Sequence, residues 1–264
     1  MNKNNTDICY YYPNITDIMP EVLSSKILNE IKKDDMHNYL GYKSIRNFKE
    51  TLNFNFGDKK IKQVALSEKN RKRITKIIVE MQKRFEEALK FKYKPIRYFI
   101  FPWFPSKSVL RQFGGLTGMA PYFGTLHLYI DSKNFSEKAL RETLAHELNH
   151  LYFFQTHNKF LLNIKESMIL EGFAETFREY FVGGKIAPWS KHLSVSENIT
   201  MIDKLKDKYD LPYANNTDVF FGGNGIKKWT GYSVGYYLVK KFLKKNKNIK
   251  WEQIMNTNVN KFFE

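Results

Sequence analysis

The stretch Thr143-Leu144-Ala145-His146-Glu147-Leu148-Asn149-His150 decides how this chain is read. In an α-helix, residues four apart share a face and lie about 6 Å apart along the axis, so His146 and His150 aim ring nitrogens at one point. Two imidazoles at that spacing suit a divalent metal, zinc above all. Glu147 stands beside the first of them, where its carboxylate reaches a zinc-bound water without ligating the ion. Thr143, Leu144, Ala145, Leu148, Asn149, Leu151 and Tyr152 bring no charge to the flanks, as a helix buried around a metal requires. The competing reading, a helix with two incidental histidines, explains neither those flanks nor the strand that precedes them.

Working outward, Ser132, Asn134 and Ser136 offer caps and Glu137 suits a first turn, which predicts a helix running to about Gln155. Upstream, Ile96–Phe101 and Thr125–Ile130 are β-branched and aromatic and predict strands, the first ending at Pro102. Gly114-Gly115-Leu116-Thr117-Gly118 between them predicts a turn or a close-approach loop. Downstream, a second helix is expected from about Ile164 to the stop at Gly183-Gly184, with further helices near Ser196–Lys208 and Lys228–Lys245. Apolar spacing also predicts helices over Glu21–Lys33 and from Ser67 to about Tyr93. Residues 1 to about 20 read as irregular, and Asn38–Gly57 fits no single pattern.

This order predicts an α+β fold: a small mixed sheet packed on the HExxH helix, followed by a mainly helical C-terminal part. It divides into an N-terminal extension of uncertain structure, 1–65, and a catalytic domain, 66–264. Thr125–Ile130 is a candidate edge strand on which an extended peptide would pair. His127 within it is either a packed structural histidine or a substrate contact.

A catalytic zinc needs a third protein ligand. The HExxHxxGxxH spacing would put it at position 156, which is Thr156. His157 lies about 16 Å beyond His146 along a continuous helix, too far to share an ion. The candidate is therefore Glu171, in Glu171-Gly172-Phe173-Ala174-Glu175 on the next helix, where Gly172 permits close packing. Glu175, one turn on, either orients a ligand histidine or pairs with Arg178.

TLAHELNH followed by LEGFAETF resembles the gluzincin pattern, HExxH plus a downstream Glu, and EGFA is similar to the segment in zinc aminopeptidases of the leukotriene-hydrolase type. No GAMEN-like segment accompanies it, and outside HELNH the chain does not match clostridial neurotoxin light chains. GGLTGMAPYFG at Gly114–Gly124, the two helices and Thr230-Gly231-Tyr232-Ser233-Val234-Gly235-Tyr236 resemble the YjaZ-like family of predicted Zn-dependent proteases over roughly residues 95 to 245. The resemblance implies a zincin-like domain, a zinc cofactor on His146, His150 and Glu171, and a peptide or protein substrate. It also points to Tyr232, or Tyr236 one turn later, as donor to an oxyanion.

Composition narrows the setting. A 42% apolar chain with 22 Phe and 16 Tyr folds around a core. Cys9 is the lone cysteine, so no intramolecular disulfide and no all-Cys metal site can form. Met1 to Pro20 lacks the apolar run of a signal peptide and no segment reaches membrane-spanning length, which predicts a soluble, cytoplasmic protein. Lys plus Arg number 43 against 27 Asp plus Glu, a net charge of +16. The alternative function this suggests is polyanion binding, to nucleic acid or an acidic membrane surface, with a structural or vestigial metal site. The lysines are spread over several helices and no nucleic-acid motif is present, which favours solvated helix faces.

Overall fold

In the computed structural model, which describes residues 6–264 apart from 35, 37–44, 58, 90–94, 123 and 160, the chain sorts into two units, Met1–Leu151 and Tyr152–Glu264. The first contains β1 (Thr6–Tyr10), β2 (Ile15–Ile18), α1 (Pro20–Lys33), α2 (Ile45–Phe56), β3 (Ile61–Val64), α3 (Glu68–Ala88), β4 (Ile96–Pro102), α4 (Lys107–Phe113), β5 (Leu116–Tyr122) and β6 (Thr125–Ile130). It also holds most of α5 (Glu137–His157). A four-stranded sheet runs in the order β1-β4-β6-β5, with β1, β4 and β6 parallel and β5 antiparallel to β6. β2 and β3 form a separate antiparallel pair.

The central strands β4 and β6 read as continuous apolar runs because both their faces are covered, and Ile96, Tyr98, Phe99, Ile100, Phe101, Leu126 and Leu128 are fully buried. α2 contributes Phe48, Leu52 and Phe56, spaced by four, to the same core. α3 starts at the Ser67 cap, whose side chain accepts from Asn70 N, and buries Ile74, Ile78, Met81 and Phe85. It ends at Ala88; the remainder of the predicted span falls partly on 90–94, outside the described residues.

Two expectations are corrected here, and the choice between the two readings of His127 is decided. Residues 6–18 are not irregular: β1 pairs in parallel with β4, Thr6 opposite Ile96 and Tyr10 opposite Ile100, a long-range pairing that so short a run does not advertise. β6 is not an edge strand, because β4 flanks it on one side and β5 on the other; the outer strands are β1 and β5. His127 is fully buried and packs its ring against Phe48, Phe99 and Phe101 at centroid distances of 5.6, 5.3 and 5.4 Å, so it belongs to the core and cannot meet a substrate.

The second unit is helical. It contains α6 (Ile164–Val182), α7 (Val195–Lys204), α8 (Asp218–Phe221), α9 (Thr230–Lys245) and α10 (Trp251–Met255), with 3-10 turns at Lys206–Lys208 and Tyr213–Asn215 between α7 and α8 and at Val259–Phe262 after α10. α6 opens with a capping box, in which Asn163 and Glu166 exchange side-chain and backbone hydrogen bonds, and stops at Gly183 with φ at +71°. Residues 209–213 are tied to its start: Ile164 N donates to Leu211 O, Lys165 N to Tyr209 O and Tyr213 N to Leu162 O. α6 and α9 touch through glycine. A methyl group on Gly235 would stand 1.8 Å from Met168 O, and one on Gly172 would stand 2.3 Å from Gly235 O. Among the described residues, no helix is long and apolar enough to cross a membrane.

Candidate metal centre

α5 is continuous from Glu137 to His157, which puts His146 and His150 on one face one turn apart. Their rings are 4.5 Å apart between centroids and nearly perpendicular. Leu144, Ala145, Leu148 and Leu151 alongside them are buried, so the helix carries its polar pair inside an apolar wall. Burial, and then the neighbouring His146, hold the His150 imidazole well below its ordinary value of 6.5. It is therefore neutral, the protonation state that ligates a metal.

Glu147 is buried at 7% exposure, and its side chain meets the backbone of β5. A methyl group on Gly118 would lie 2.5 Å from Glu147 Cγ and 2.7 Å from Thr143 Cγ2. Only glycine lets strand and helix approach this closely without displacing the carboxylate. The sequence marked Gly114–Gly118 as a turn or a close approach, and it is both: Gly114 and Gly115 turn with positive φ, and Gly118 lies within β5.

Glu171 lies in the middle of α6. It, His146 and His150 each offer one ligand atom, and these atoms all lie within 4.8 Å of one another. Two imidazole nitrogens and one carboxylate oxygen form the donor set that zinc takes, so the residues present fit the ion.

The neighbouring candidates have other partners. Glu175 is buried and accepts from Arg178 Nε and from Trp189 Nε1, both at 3.0 Å, while Arg178 Nη2 donates to Lys185 O at 3.2 Å. Its carboxylate is thus held by the Arg178 pair foreseen as one of two alternatives. Tyr236 donates its hydroxyl to Glu179 Oε2 at 2.8 Å. Burial first, and that carboxylate second, raise its pKa. His157 stacks on Phe153 at 4.1 Å and its Nε2 lies 2.7 Å from Met255 O, which accounts for the last histidine of the helix. Tyr232, in the first turn of α9, sets its ring edge-on to Phe220 at 5.3 Å. One residue escaped the sequence reading: Tyr213, whose phenol is pushed up to about 12 by burial and then by the Glu171 carboxylate. Its ring also packs on Phe220, at 5.2 Å. No spacing links residue 213 to 171, so only the fold brings it there.

Two α5 imidazoles, that of His150 buried and that of His146 partly so, converging with an α6 carboxylate on an α+β scaffold with a small mixed sheet, define a protein with a possible three-residue metal site. Residues 74–264 match the family described as predicted Zn-dependent protease (DUF2268), and the chain belongs to that family. This is the YjaZ-like group that the motifs resemble. No curated protein and no solved structure matches the chain.

Proposed function

We propose that this protein is a zinc-dependent peptidase of gluzincin type on a zincin-like scaffold, with His146, His150 and Glu171 as metal ligands. The observation that carries the reading is the convergence of those three donor atoms within 4.8 Å, with Glu147 next to the first of them. Zinc bound there supplies Lewis acidity and brings a water's pKa to about 7. Glu147 takes the proton of the attacking water on its carboxylate and delivers it to the leaving amine as the C–N bond breaks. The apolar residues around α5 limit water and keep that carboxylate's field strong. Tyr232 serves as hydrogen-bond donor to the oxyanion. All these residues lie within 66–264, the span we assign to catalysis.

A polypeptide substrate is supported by β5. It is an outer strand of the sheet, it bears Gly118 against Glu147, and an extended peptide can pair along it through backbone hydrogen bonds. A reducing, cytoplasmic setting is consistent with the lone Cys9.

The test combines metal analysis with digestion of a peptide library. Wild type is expected to hold about one zinc per chain and to cleave. Glu147→Gln should keep the zinc and lose about 100-fold or more in rate, whereas Glu171→Ala should lose the metal. A zinc-loaded wild type that leaves the library intact, or a Glu147→Gln variant that cleaves at the wild-type rate, refutes the reading.

A further inference from the structure

A second concavity lies in the first unit, at the C-terminal ends of the parallel strands β4 and β6, where Trp103 N donates to Ile130 O at 3.0 Å. It encloses about 310 Å³, and β3 with its flanking residues forms one wall. Its floor is aromatic: Trp103 is 7% exposed and Phe104 packs edge-on against the buried Phe56 at 6.0 Å. Its rim is basic. Lys59, Lys62 and Lys133 are exposed and have no acidic partner among the described residues, whereas Lys60 is paired with Asp17 at 3.5 Å. Among the described residues Asp131 is the one acid in the lining, and its carboxylate is engaged by Lys133 N and Asn134 Nδ2.

Two further features choose the ligand. Among the described residues β3 pairs only with β2, which leaves its other edge open, and all four of its residues, Ile61 to Val64, line the groove. Among the described residues the lining contains neither arginine nor glycine, the groups that form forked or backbone cradles for phosphate. Lysine ammoniums on flexible stems suit carboxylates spaced along a chain.

We propose that this groove docks an extended acidic polypeptide segment, added as a strand to the open edge of β3. Successive side chains of such a strand point to opposite faces. One face sets carboxylates against Lys59, Lys62 and Lys133; the other lays apolar side chains on Trp103 and Phe104. The recognised pattern is therefore an alternation of acidic and apolar residues. The docking uses no residue of the metal centre and is independent of the hydrolytic reading.

The probe is a fluorescein-labelled octapeptide alternating Glu with Leu, titrated by anisotropy against the full chain carrying Glu147→Gln, so that it stays intact. Binding is expected at low salt and should weaken as salt rises. Joint reversal Lys59→Glu, Lys62→Glu, Lys133→Glu should raise Kd about tenfold or more. The same three-charge reversal at Lys244, Lys245 and Lys247 should leave Kd within about twofold. N-methylation of alternate peptide bonds should also cost about tenfold, because it removes the strand's donors. The inference is overturned if the octapeptide does not bind, if both reversals weaken it equally, or if the N-methylated peptide binds as well as the parent. Displacement of the octapeptide by a tighter-binding oligothymidylate, itself sensitive to the first reversal, would assign the groove to nucleic acid and overturn it as well.

Discussion

The helices that carry the candidate ligands are held in opposite ways. α5 presents its histidines from an apolar wall, and Gly118 of β5 lies against the Glu147 side chain. α6 presents Glu171 from a stretch anchored by backbone and charge: Gly172 lies against Gly235, and one turn on the buried Glu175–Arg178 pair ties the helix to Lys185 and Trp189. The nitrogen donors are thus tuned by what is kept out, and the oxygen donor is positioned by what is fastened down. Perturbing the α6 side should unfold the protein before it changes chemistry. Perturbing the α5 side should change chemistry first.

The largest effect is expected from Arg178→Met, which leaves the Glu175 carboxyl buried at 1% exposure without its cationic partner. Loss of about 3–5 kcal/mol should appear in urea denaturation, and adding Glu175→Leu should recover most of it. If the single variant is as stable as wild type, the pair does not fasten α6.

Gly235→Ala comes next. Its methyl would meet the Met168 carbonyl, a backbone atom that cannot swing aside, and about 3 kcal/mol should be lost in the same assay.

Gly118→Ala instead meets Glu147 Cγ and Thr143 Cγ2, side-chain atoms that can give way. About 1 kcal/mol of stability should be lost, whereas peptide cleavage should fall about tenfold or more with zinc content unchanged. Equal loss of both would erase the contrast between the helices.

The smallest effect is pH-linked. The His150 pKa is depressed in the fold by burial and by His146, so below about 6.5 the unfolded chain binds a proton that the native state refuses. Stability of the metal-free protein should be greatest above that pH and fall by up to about 1 kcal/mol as pH drops by one unit. His150→Gln should flatten the profile in thermal melts.

Elements whose residues satisfy their own local needs were legible in the sequence. β6 occupies the predicted Thr125–Ile130, α5 starts directly after the Ser136 capping signal and ends two residues past the expected Gln155, and α6 starts at the expected Ile164 and stops at its glycine signal. Where long-range pairing decides, sequence was silent. β1 is half-buried throughout and is stabilised by pairing with β4 some 90 positions away. β5 contains Gly118, Ala120 and Pro121, residues that disfavour a strand, and it forms because β6 is there to receive it. The same limit governs the site. His146, Glu147 and His150 follow from one helical turn and Glu171 from the next helix, whereas the packing of Gly118 on Glu147 and the approach of Tyr213 to Glu171 depend on segments with no local signature.

The form of β5 also bears on behaviour at high concentration. An open strand edge invites a second copy of the chain as readily as any other partner. Pro121 offers no N–H, and the register with β6 shifts between Met119 and Tyr122, so regular pairing is confined to Leu116–Met119. Four residues span roughly 13 Å, too short a seam to nucleate sheet growth between molecules. The irregularity that shortens the strand therefore acts as a guard on colloidal stability.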